Sequence, residues 1–584
     1  MIEICKANDQ YNYIRCVSDD MAETDKFIRA INRVEDKYFD NTYQTWVCNI
    51  KDSLHIYDLF YDPDITINTK LQPYLYQKQC VYKCMDKNRL IQLPCGTGKS
   101  LIGLALLLYV KENDKSFTGP AVFVVKATLK IQWLDEVSKF TDFKASVIDT
   151  YKSCTSKYLR KIKKCEDKIS KLMKASAIEN REQISDLNDE ISDAKEQASS
   201  TFAEMFNSSN DILILNYETL ADDTVRTTLA NINPQFFYVD EIDCIKDPDT
   251  KRNKNLNVFN NAKYKFGATA TPIRKNPVDL FGIFSFLKPD LFPNRYSFEN
   301  RFTKKYYNRI CGSKNEKELT NIIYPYIFTR TLEEVSDQMP SQVVVQKYCE
   351  LTDKQLKMHK KLMAEIETFK EQQEIIAARI SPNLLKSNKE YERLNGNIVA
   401  RQTFAQMLCD SEELLEMSES NLSKQYITKS PSSKIALCME LVKSIIDSGE
   451  KVCIFSRFLG IQDILEREIN KLNIENQEIA KITGGVNNKD RYETVKHYKT
   501  SPNCNILLAS DAAEAGLNLP STKYMIEFDL ADSDAKQTQR HGRIARSDSI
   551  HKNVIVYQLI AKESYDEIAQ MIISKKAKYA EDIL

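Results

Sequence analysis

The chain of 584 residues is predicted to be an α/β protein with two parallel-sheet lobes, helical insertions and a small N-terminal domain. Two separate blocks alternate short apolar runs with amphipathic helical patterns, which is typical of parallel sheets covered on both faces. Polar, helix-forming sequence inside the first block and between the blocks predicts the insertions. At roughly 100–200 residues per domain, this length predicts three or four domains.

Short apolar runs mark the strands of the two sheets. In the first block, the predicted strands are residues 90–93, 121–125, 211–216, 236–240 and 265–268. In the second block, they are residues 452–456, 479–483, 505–509, 524–529 and 554–560. Each block is long enough to form its own core. Breaks in this rhythm divide the chain into an N-terminal accessory domain at 1–68, a first lobe at 69–294, a helical inter-lobe region at 295–430 and a second lobe at 431–584.

The segment 155–205, inside the first lobe, is almost entirely helix-forming and charged. Its apolar residues recur at spacings of three and four, as at Ile184, Leu187, Ile191 and Ala194. This pattern predicts two helices that form an antiparallel hairpin. At 1.5 Å per residue, an arm of ~20 residues extends ~30 Å.

Composition excludes some classes of protein. The chain has 82 basic and 82 acidic residues, so affinity for a polyanion must come from local basic patches. Neither a run of 18 apolar residues nor a secretory signal is present, so we predict no membrane contact and an intracellular protein, bacterial, viral or nuclear. The 15 cysteines are scattered without a CxxC pair, which indicates buried thiols rather than zinc ligands or disulfides.

The sequence LPCGTGKS, residues 93–100, follows a predicted strand and opens a predicted helix, which is the setting of a phosphate-binding loop. Gly96, Thr97 and Gly98 let the backbone N–H groups turn toward the phosphates of ATP. Lys99 can reach the β- and γ-phosphates, and Ser100 can ligate Mg²⁺. The strict motif has glycine where this chain has Leu93, so a chance glycine turn is the alternative.

Two acidic residues end the predicted strand at 236–240. Asp240 can hold the Mg²⁺ shell, and Glu241 can accept a proton from the attacking water. Two solvated acids at a strand end are the alternative. That alternative is weakened because the loop and the acids lie about 140 residues apart in one α/β block.

The second lobe contains QRHGRIAR at residues 539–546. Arg543 and Arg546 are three residues apart and would lie on one helix face. Arginines donated across a cleft stabilise the transition state of phosphoryl transfer, by ~10³–10⁵ in rate in related systems. A basic helix end without catalytic function is the alternative.

Taken in order, these motifs resemble superfamily-two helicases, and within them the Swi/Snf-like ATPases, whose lobes are RecA-like. The similarity covers about residues 70–575, and the segment 324–340 (YPYIFTRTLEEVSDQMP) resembles the stretch that joins the lobes of Swi/Snf-like proteins. The other matching stretches are residues 76–77, 121–133, 214–220, 240–246, 267–272, 454–456, 508–519 and 539–546. The chain departs from the family at Thr331, where an arginine is usual, and at 545–547, where the HRIGQ ending is replaced.

The resemblance implies a motor that uses ATP and Mg²⁺ to move along DNA, with duplex favoured and forked or single-stranded DNA as further substrates. It implies nucleotide contacts at Gln77, which would read adenine, and at Gly516, and a catalytic role for Gln539 beside the two arginines. The candidate DNA-phosphate contacts are Thr128, Lys130, Ser456 and Ser510. Protein partners are not indicated.

Several interpretations stay open at this point. The chain could be an RNA helicase of the same superfamily, or a nucleotide-binding scaffold without motor activity. Residues 38–60 weakly resemble the HARP-like module that precedes some helicase motors, or form a small packing domain. The hairpin at 155–205 is either a solvated decoration or an arm that touches DNA or a partner. DNA repair, recombination or replication is the expected setting.

Overall fold

The protein is described by a computed structural model. It describes residues 2–571 except 177–179, 208, 274–275, 307–308, 381–384, 386, 511–516 and 532–533. Two parallel sheets, each covered by helices, confirm the predicted α/β class. In the described part of the chain, no helix combines the length and apolar character needed to cross a bilayer.

A small antiparallel sheet precedes the first lobe. Its strands lie in the order β1-β2-β4-β3, and its core forms between the sheet and two helices, with Ile14 and Ile31 fully buried. The first helix of this domain begins at Met21, where Asp20 caps it by accepting a hydrogen bond from the N–H of Ala22. The elements are β1 (Ile2–Lys6), β2 (Tyr11–Cys16), α1 (Met21–Asn32), β3 (Lys37–Asp40), β4 (Thr45–Asn49) and α2 (Ile50–Phe60).

The first parallel sheet has the order β13-β5-β10-β9-β6-β8-β7. Its central strands are buried along their whole length, which explains their continuous apolar runs. The elements of this lobe are α3 (Leu75–Cys84), β5 (Arg89–Gln92), α4 (Lys99–Asn113), β6 (Ala121–Val125), α5 (Lys130–Phe140), β7 (Ala145–Val147), α6 (Tyr151–Cys154), α7 (Ser156–Ser176), α8 (Arg181–Glu204), β8 (Ile212–Asn216), α9 (Asp223–Ile232), β9 (Phe236–Asp240), α10 (Lys251–Asn257), β10 (Tyr264–Thr269), α11 (Val278–Leu287), α12 (Arg295–Phe302), β11 (Thr303–Tyr306), β12 (Arg309–Ser313), α13 (Glu316–Ile323) and β13 (Ile327–Thr329).

The second parallel sheet has the order β14-β19-β18-β15-β17-β16. Its elements are β14 (Ser341–Cys349), α14 (Asp353–Arg379), α15 (Lys389–Asp410), α16 (Glu412–Met417), α17 (Ser433–Asp447), β15 (Val452–Ser456), α18 (Leu459–Lys471), β16 (Glu478–Ile482), α19 (Asn488–Thr500), β17 (Cys504–Ser510), β18 (Tyr524–Glu527), α20 (Asp534–His541) and β19 (Asn553–Ala561). Short 3-10 turns lie at Ala127–Leu129, Thr219–Ala221, Ile242–Ile245, Pro289–Leu291, Tyr324–Tyr326, Glu333–Gln338 and Ser423–Tyr426.

The region 295–430, expected to be helical without strands, contains four strands. β11 and β12 form a separate hairpin, β13 pairs with β5 of the first sheet, and β14 pairs with β19 of the second. The expectation of no strands here is wrong, because these strands lack the continuous apolar run by which a buried strand is recognised in a sequence. β13 has three residues, and β14 is an edge strand whose side chains are largely exposed.

The predicted helical hairpin at 155–205 is present. Helices α7 and α8 pack through an apolar cluster of their own, which contains Ile162, Cys165, Leu187 and Ile191. At the root of the hairpin, Phe202 joins the hydrophobic core of the first lobe. The hairpin is therefore fixed at its base and stabilised internally along its length.

Candidate active site

The loop between β5 and α4 contains the residues expected to cradle phosphates. Gly96 and Gly98 have φ of +82° and +72°, a conformation that glycine adopts without steric cost. Gly98 precedes the first turn of α4, and no described side chain caps that turn. The N–H groups at the start of α4 thus point to the cleft at the positive end of the helix dipole.

Side chains of the same loop are held by its own carbonyl groups. The ammonium of Lys99 donates to the carbonyl oxygens of Leu93 and Pro94 at 3.1 and 2.9 Å. The Thr97 hydroxyl donates to the Pro94 carbonyl at 2.8 Å. Lys99 is thereby kept beside the loop, where a phosphate oxygen would compete with the carbonyls for its protons.

Gln77 is buried behind this loop. Its Nε2 donates to the Thr97 carbonyl at 2.9 Å, and its Oε1 accepts from the Tyr74 N–H at 2.9 Å. The Tyr76 hydroxyl donates to the same Thr97 carbonyl at 2.7 Å. Gln77 therefore connects the start of α3 to the loop. Because both ends of its side-chain amide already form hydrogen bonds, adenine would have to share or replace one of them.

The two acidic residues lie at the carboxyl end of β9, in the middle of the sheet and two strands from β5. Burial and the neighbouring Glu241 raise the pKa of Asp240 to about 6, and Lys99, Lys126 and the Trp133 side chain oppose that rise. Nε1 of Trp133 donates to Oδ2 of Asp240 at 3.3 Å.

Glu241 begins the turn after β9 with φ of 49° and ψ of 53°. This left-handed conformation costs a non-glycine residue of order 1–3 kcal/mol and concentrates at functional sites. The Tyr217 hydroxyl lies 2.8 Å from the carbonyl oxygen of Asp240 and 3.1 Å from that of Glu241. Tyr217 thus fixes the backbone that aims Glu241.

The arginines of the second lobe lie just after α20, which ends at His541, so the expectation that they share one helix face is wrong. Arg543 donates to the Leu517 carbonyl at 3.4 Å, and its buried Nε has no described hydrogen-bond partner. Arg546 forms an ion pair with Asp548, with Nε and Oδ1 3.0 Å apart. Burial would raise the pKa of Asp548, but Arg546 and Lys139 outweigh it and lower that pKa to about 2.

The two lobes touch at the phosphate loop. The N–H of Ser547 donates to the carbonyl of Gly96 at 2.9 Å, and the Tyr74 hydroxyl donates to the carbonyl of Ser547 at 3.1 Å. Lys139 of the first lobe lies 3.4 Å from Asp548 of the second. These bonds bring the arginines of one lobe to the loop of the other.

A cavity of about 390 Å³ lies at this junction. Its volume falls within the ~300–1,000 Å³ of small-molecule sites. From the first lobe it is lined by Gln77, Gly96, Gly98, Lys99, Ser100, Asp240 and Glu241, and from the second by Asn518, Arg543 and Arg546. The Ser100 hydroxyl and the Asp240 carboxylate are oxygen donors of the kind Mg²⁺ prefers, so these residues fit that ion.

Two protein-family models match this chain. The SNF2-related domain matches residues 79–398, and the Helicase conserved C-terminal domain matches residues 433–548. The first match alone covers more than half of the chain. The chain belongs to the SNF2-related family. The predicted resemblance to Swi/Snf-like ATPases is thereby confirmed.

Relatives of this SNF2-family chain include the ISWI chromatin-remodeling complex ATPase ISW1 of Saccharomyces cerevisiae, 20% identical over 86% of this chain and 39% of that protein. An uncharacterized ATP-dependent helicase of Mycoplasma pneumoniae is 23% identical over 63% of this chain and 32% of that protein. The chain therefore spans less than half the length of these relatives. The Sulfolobus solfataricus SWI2/SNF2 ATPase core in complex with dsDNA is 22% identical, with 90% of this chain and 95% of that chain covered and a TM-score of 0.38.

The structure does not place every predicted residue of the SNF2-family chain at the cavity. Gln539 is buried on α20 and is not among the residues that line it. Gly516 falls outside the described residues. The roles of both residues stay predictions.

The four candidate DNA contacts differ in accessibility. Lys130 forms an ion pair with Asp149, and the buried Thr128 hydroxyl has no described hydrogen-bond partner. Ser456 is buried and donates to Oδ2 of Asp529 at 3.0 Å, and Ser510 is also buried. In this conformation, the two serines do not face solvent, so a phosphate contact requires a change at the second lobe.

Lys126, Tyr217, Lys139 and Asp548 are close to the site and were not singled out in the sequence. Burial disfavours the charge of Lys126, yet Glu241 and the neighbouring acidic residues raise its pKa. Its position directly after β6, at the carboxyl edge of the sheet, is the signal that could have indicated it. The contact of Asp548 with Lys139 has no comparable signal, because the two residues are 409 positions apart in the sequence.

Proposed function

We propose that this chain is an ATP-dependent motor that hydrolyses ATP between its two lobes and moves along DNA, with duplex DNA as the favoured track. The observation that carries the proposal is the single cavity in which Lys99, Asp240 and Glu241 meet Arg543 and Arg546 of the other lobe. DNA repair, recombination or replication is the setting that we propose for it.

The first lobe binds the nucleotide in this mechanism. Phosphate oxygens accept hydrogen bonds from the N–H groups at the start of α4 and draw the Lys99 ammonium away from the Leu93 and Pro94 carbonyls. Ser100 and Asp240 would hold Mg²⁺, which would supply positive charge against the negative charge of the phosphates. A carboxylate oxygen of Glu241 accepts the proton of the attacking water.

The second lobe stabilises the transition state. Arg546 has to exchange its ion pair with Asp548 for the γ-phosphate, which leaves Lys139 of the first lobe as the remaining described ion-pair partner of Asp548. Nucleotide chemistry is thereby linked to a contact between the lobes. Repeated closing and opening of this junction is what we propose moves the DNA-gripping loops.

Two observations support DNA as the track. The chain belongs to the SNF2-related family, and its relatives include proteins named as chromatin-remodeling ATPases and chromodomain-helicase-DNA-binding proteins. Its zero net charge fits a motor that must release at every step, because grip comes from a few local contacts. Phosphate contacts fix position without reading sequence, so no sequence preference is expected.

The test is the ATPase rate with duplex, single-stranded and forked DNA and with RNA. We expect stimulation by DNA, with duplex at least as effective as single strands. If the groove between the lobes neutralises three to five phosphates, log affinity should fall with log salt at a slope of about −3 to −4.5. Displacement of a triplex strand reports movement along duplex, and Glu241→Gln is the matched control that cannot turn over. Stimulation by RNA with no response to DNA would establish an RNA helicase instead.

A further inference from the structure

The hairpin of α7 and α8, here called the arm, consists of two helices with opposite charge. Helix α7 contains eight basic and two acidic residues, a formal charge of +6. Helix α8 contains two basic and seven acidic residues, a formal charge of −5. Because the whole chain is neutral, this separation is a property of the arm and does not follow from composition.

Five of the basic residues of α7 do not face α8. The apolar seam with α8 takes Leu159, Ile162, Cys165, Ile169 and Leu172. The opposite face, at spacings of three and four, presents the exposed residues Arg160, Lys163, Lys164, Lys171 and Lys174. Asp167 is the acidic residue on that face among the described positions.

The acidic charge of α8 leaves this face uncompensated. Lys161, at the border of the seam, pairs with Glu190 across the arm at 3.6 Å. The five outward cations form no ion pair with any residue that the structure describes. The face is thus a stripe of solvated positive charge that the fold itself does not use.

The root of the arm lies beside the candidate DNA contacts of the first lobe. The connection from β7 leads through Asp149, which pairs with Lys130, into α6. The N–H of Tyr151 at the start of α6 donates to Oδ2 of Asp222 at 2.9 Å, and Tyr151 packs against Phe202 with ring centroids 5.3 Å apart. The arm therefore leaves the lobe at the carboxyl edge of the sheet. Thr128 and Lys130, which follow the end of β6, lie at the same edge.

We propose that the outward face of α7 binds the phosphate backbone of the DNA held by the motor and extends its footprint along the duplex. The proposal rests on the proposed function for the identity of the polyanion. A helix of 21 residues spans about 31 Å, which corresponds to about nine base pairs at 3.4 Å per pair. Cations distributed along one face of the helix can contact backbone phosphates and require no base contact.

The test compares two triple variants of the full chain that each remove three positive charges. Lys163→Gln, Lys164→Gln and Lys171→Gln neutralise the stripe. Lys354→Gln, Lys357→Gln and Lys443→Gln neutralise exposed lysines elsewhere that form no described ion pair. Dissociation constants for duplexes of increasing length, measured at several salt concentrations, provide the readout.

We expect the affinity of the wild type and of the control to rise when the duplex is lengthened by about nine base pairs. In the arm variant, this rise in affinity should be about tenfold smaller. The slope of log affinity against log salt should be shallower by about 2.7 in the arm variant, because three phosphate contacts are lost. Replacing the same three lysines by arginine should restore both. ATPase activity without DNA should stay at the wild-type rate in every variant.

The outcomes separate the two proposals. An arm variant that matches the control in affinity, length dependence and salt slope overturns the role of the stripe and favours an acidic protein partner. Wild-type protein that binds duplex without ATPase stimulation removes the motor function, while the binding data still decide the role of the arm. Wild-type protein that binds no DNA overturns both.

Discussion

At the scale of single residues, the carboxyl end of β9 places Asp240 and Glu241 in different surroundings. Asp240 is held by Trp133 and lies near Lys99, whereas Glu241 occupies a left-handed turn fixed by Tyr217. The two acids can therefore serve separately, one toward the metal ion and the other toward water.

Glu241→Gln should lower ATP turnover at least tenfold while nucleotide still binds, because only the acceptance of the water proton is lost. Lys99→Ala should abolish turnover by weakening nucleotide binding itself. Steady-state ATPase rates and titration with a fluorescent nucleotide measure the two effects. Glu371→Gln, which alters an exposed residue of α14, is the control. Turnover by Glu241→Gln above a tenth of the wild-type rate would show that another group accepts the proton.

Arg543→Ala and Arg546→Ala should each lower kcat by about 10³ or more and change the KM for ATP little, because their charges act mainly in the transition state. Arg543 is the stronger case, since its Nε has no described partner that it must first leave. Steady-state kinetics with DNA present separate kcat from KM. A rise in KM at unchanged kcat would place these arginines in ground-state binding.

Gly96 tests the contact between the lobes. A Cβ there would lie 2.2 Å from the carbonyl oxygen of Ala545 in the opposite lobe, whereas a Cβ on Gly119 would meet nothing within 4 Å. Both glycines have positive φ, so an alanine at either position costs about 1 kcal/mol of backbone strain. Gly96→Ala should reduce turnover at least a hundredfold, and Gly119→Ala should lower only thermal stability. Equal activities would mean that this closed contact is not part of the cycle.

At the scale of elements, the arm can be shortened without damage to the lobe if its root is kept. Phe202 belongs to the core of the first lobe, and the Thr201 hydroxyl donates to Tyr158 at 3.2 Å. Replacing the whole segment 155–205 would therefore remove part of that core. A cut between residues 160 and 197 spares it.

Replacing residues 160–197 by a short Gly/Ser loop should leave the ATPase rate without DNA unchanged and reduce the affinity for long duplexes. The expected reason is the loss of the basic stripe on α7 with the core intact. Thermal melting checks that the lobe remains folded, and the ATPase rate with duplex DNA shows the functional effect. Unchanged rate and affinity would identify the arm as a solvated decoration.

At the scale of the whole molecule, the first lobe extends past the expected boundary at residue 294. β13 (Ile327–Thr329) pairs with β5, the strand that carries the phosphate loop. The buried Arg330 donates to Oε1 of Gln79 at 3.0 Å and to the carbonyl of Asp58 at 3.1 Å. It ties this strand to α3 and to the N-terminal domain.

A fragment of residues 1–340 should fold, bind nucleotide weakly and hydrolyse almost none, because the arginines of the second lobe are missing. A fragment of residues 1–295 should melt at a lower temperature, since it leaves one edge of β5 unpaired. Calorimetry and nucleotide titration of the two fragments measure the difference. Substantial DNA-stimulated turnover by either fragment would refute the two-lobe mechanism.

The sequence by itself determined the class of the fold and the first half of the candidate site. Buried parallel strands need continuous apolar runs, so the positions of β6, β9 and β15 can be predicted from the order of residues alone. The phosphate loop can also be predicted from the sequence, because its glycines, lysine and serine lie within eight consecutive residues between a strand and a helix.

Tertiary structure alone decided which distant groups meet. The edge strands β13 and β14 have no buried apolar run, and their pairing depends on partners far along the chain. The ion pair of Asp548 with Lys139, the bonds of Gln77 to the loop and the burial of Ser456 are of the same kind. Local periodicity records which face of an element is buried, whereas the packing of two lobes decides which polar groups share that buried space.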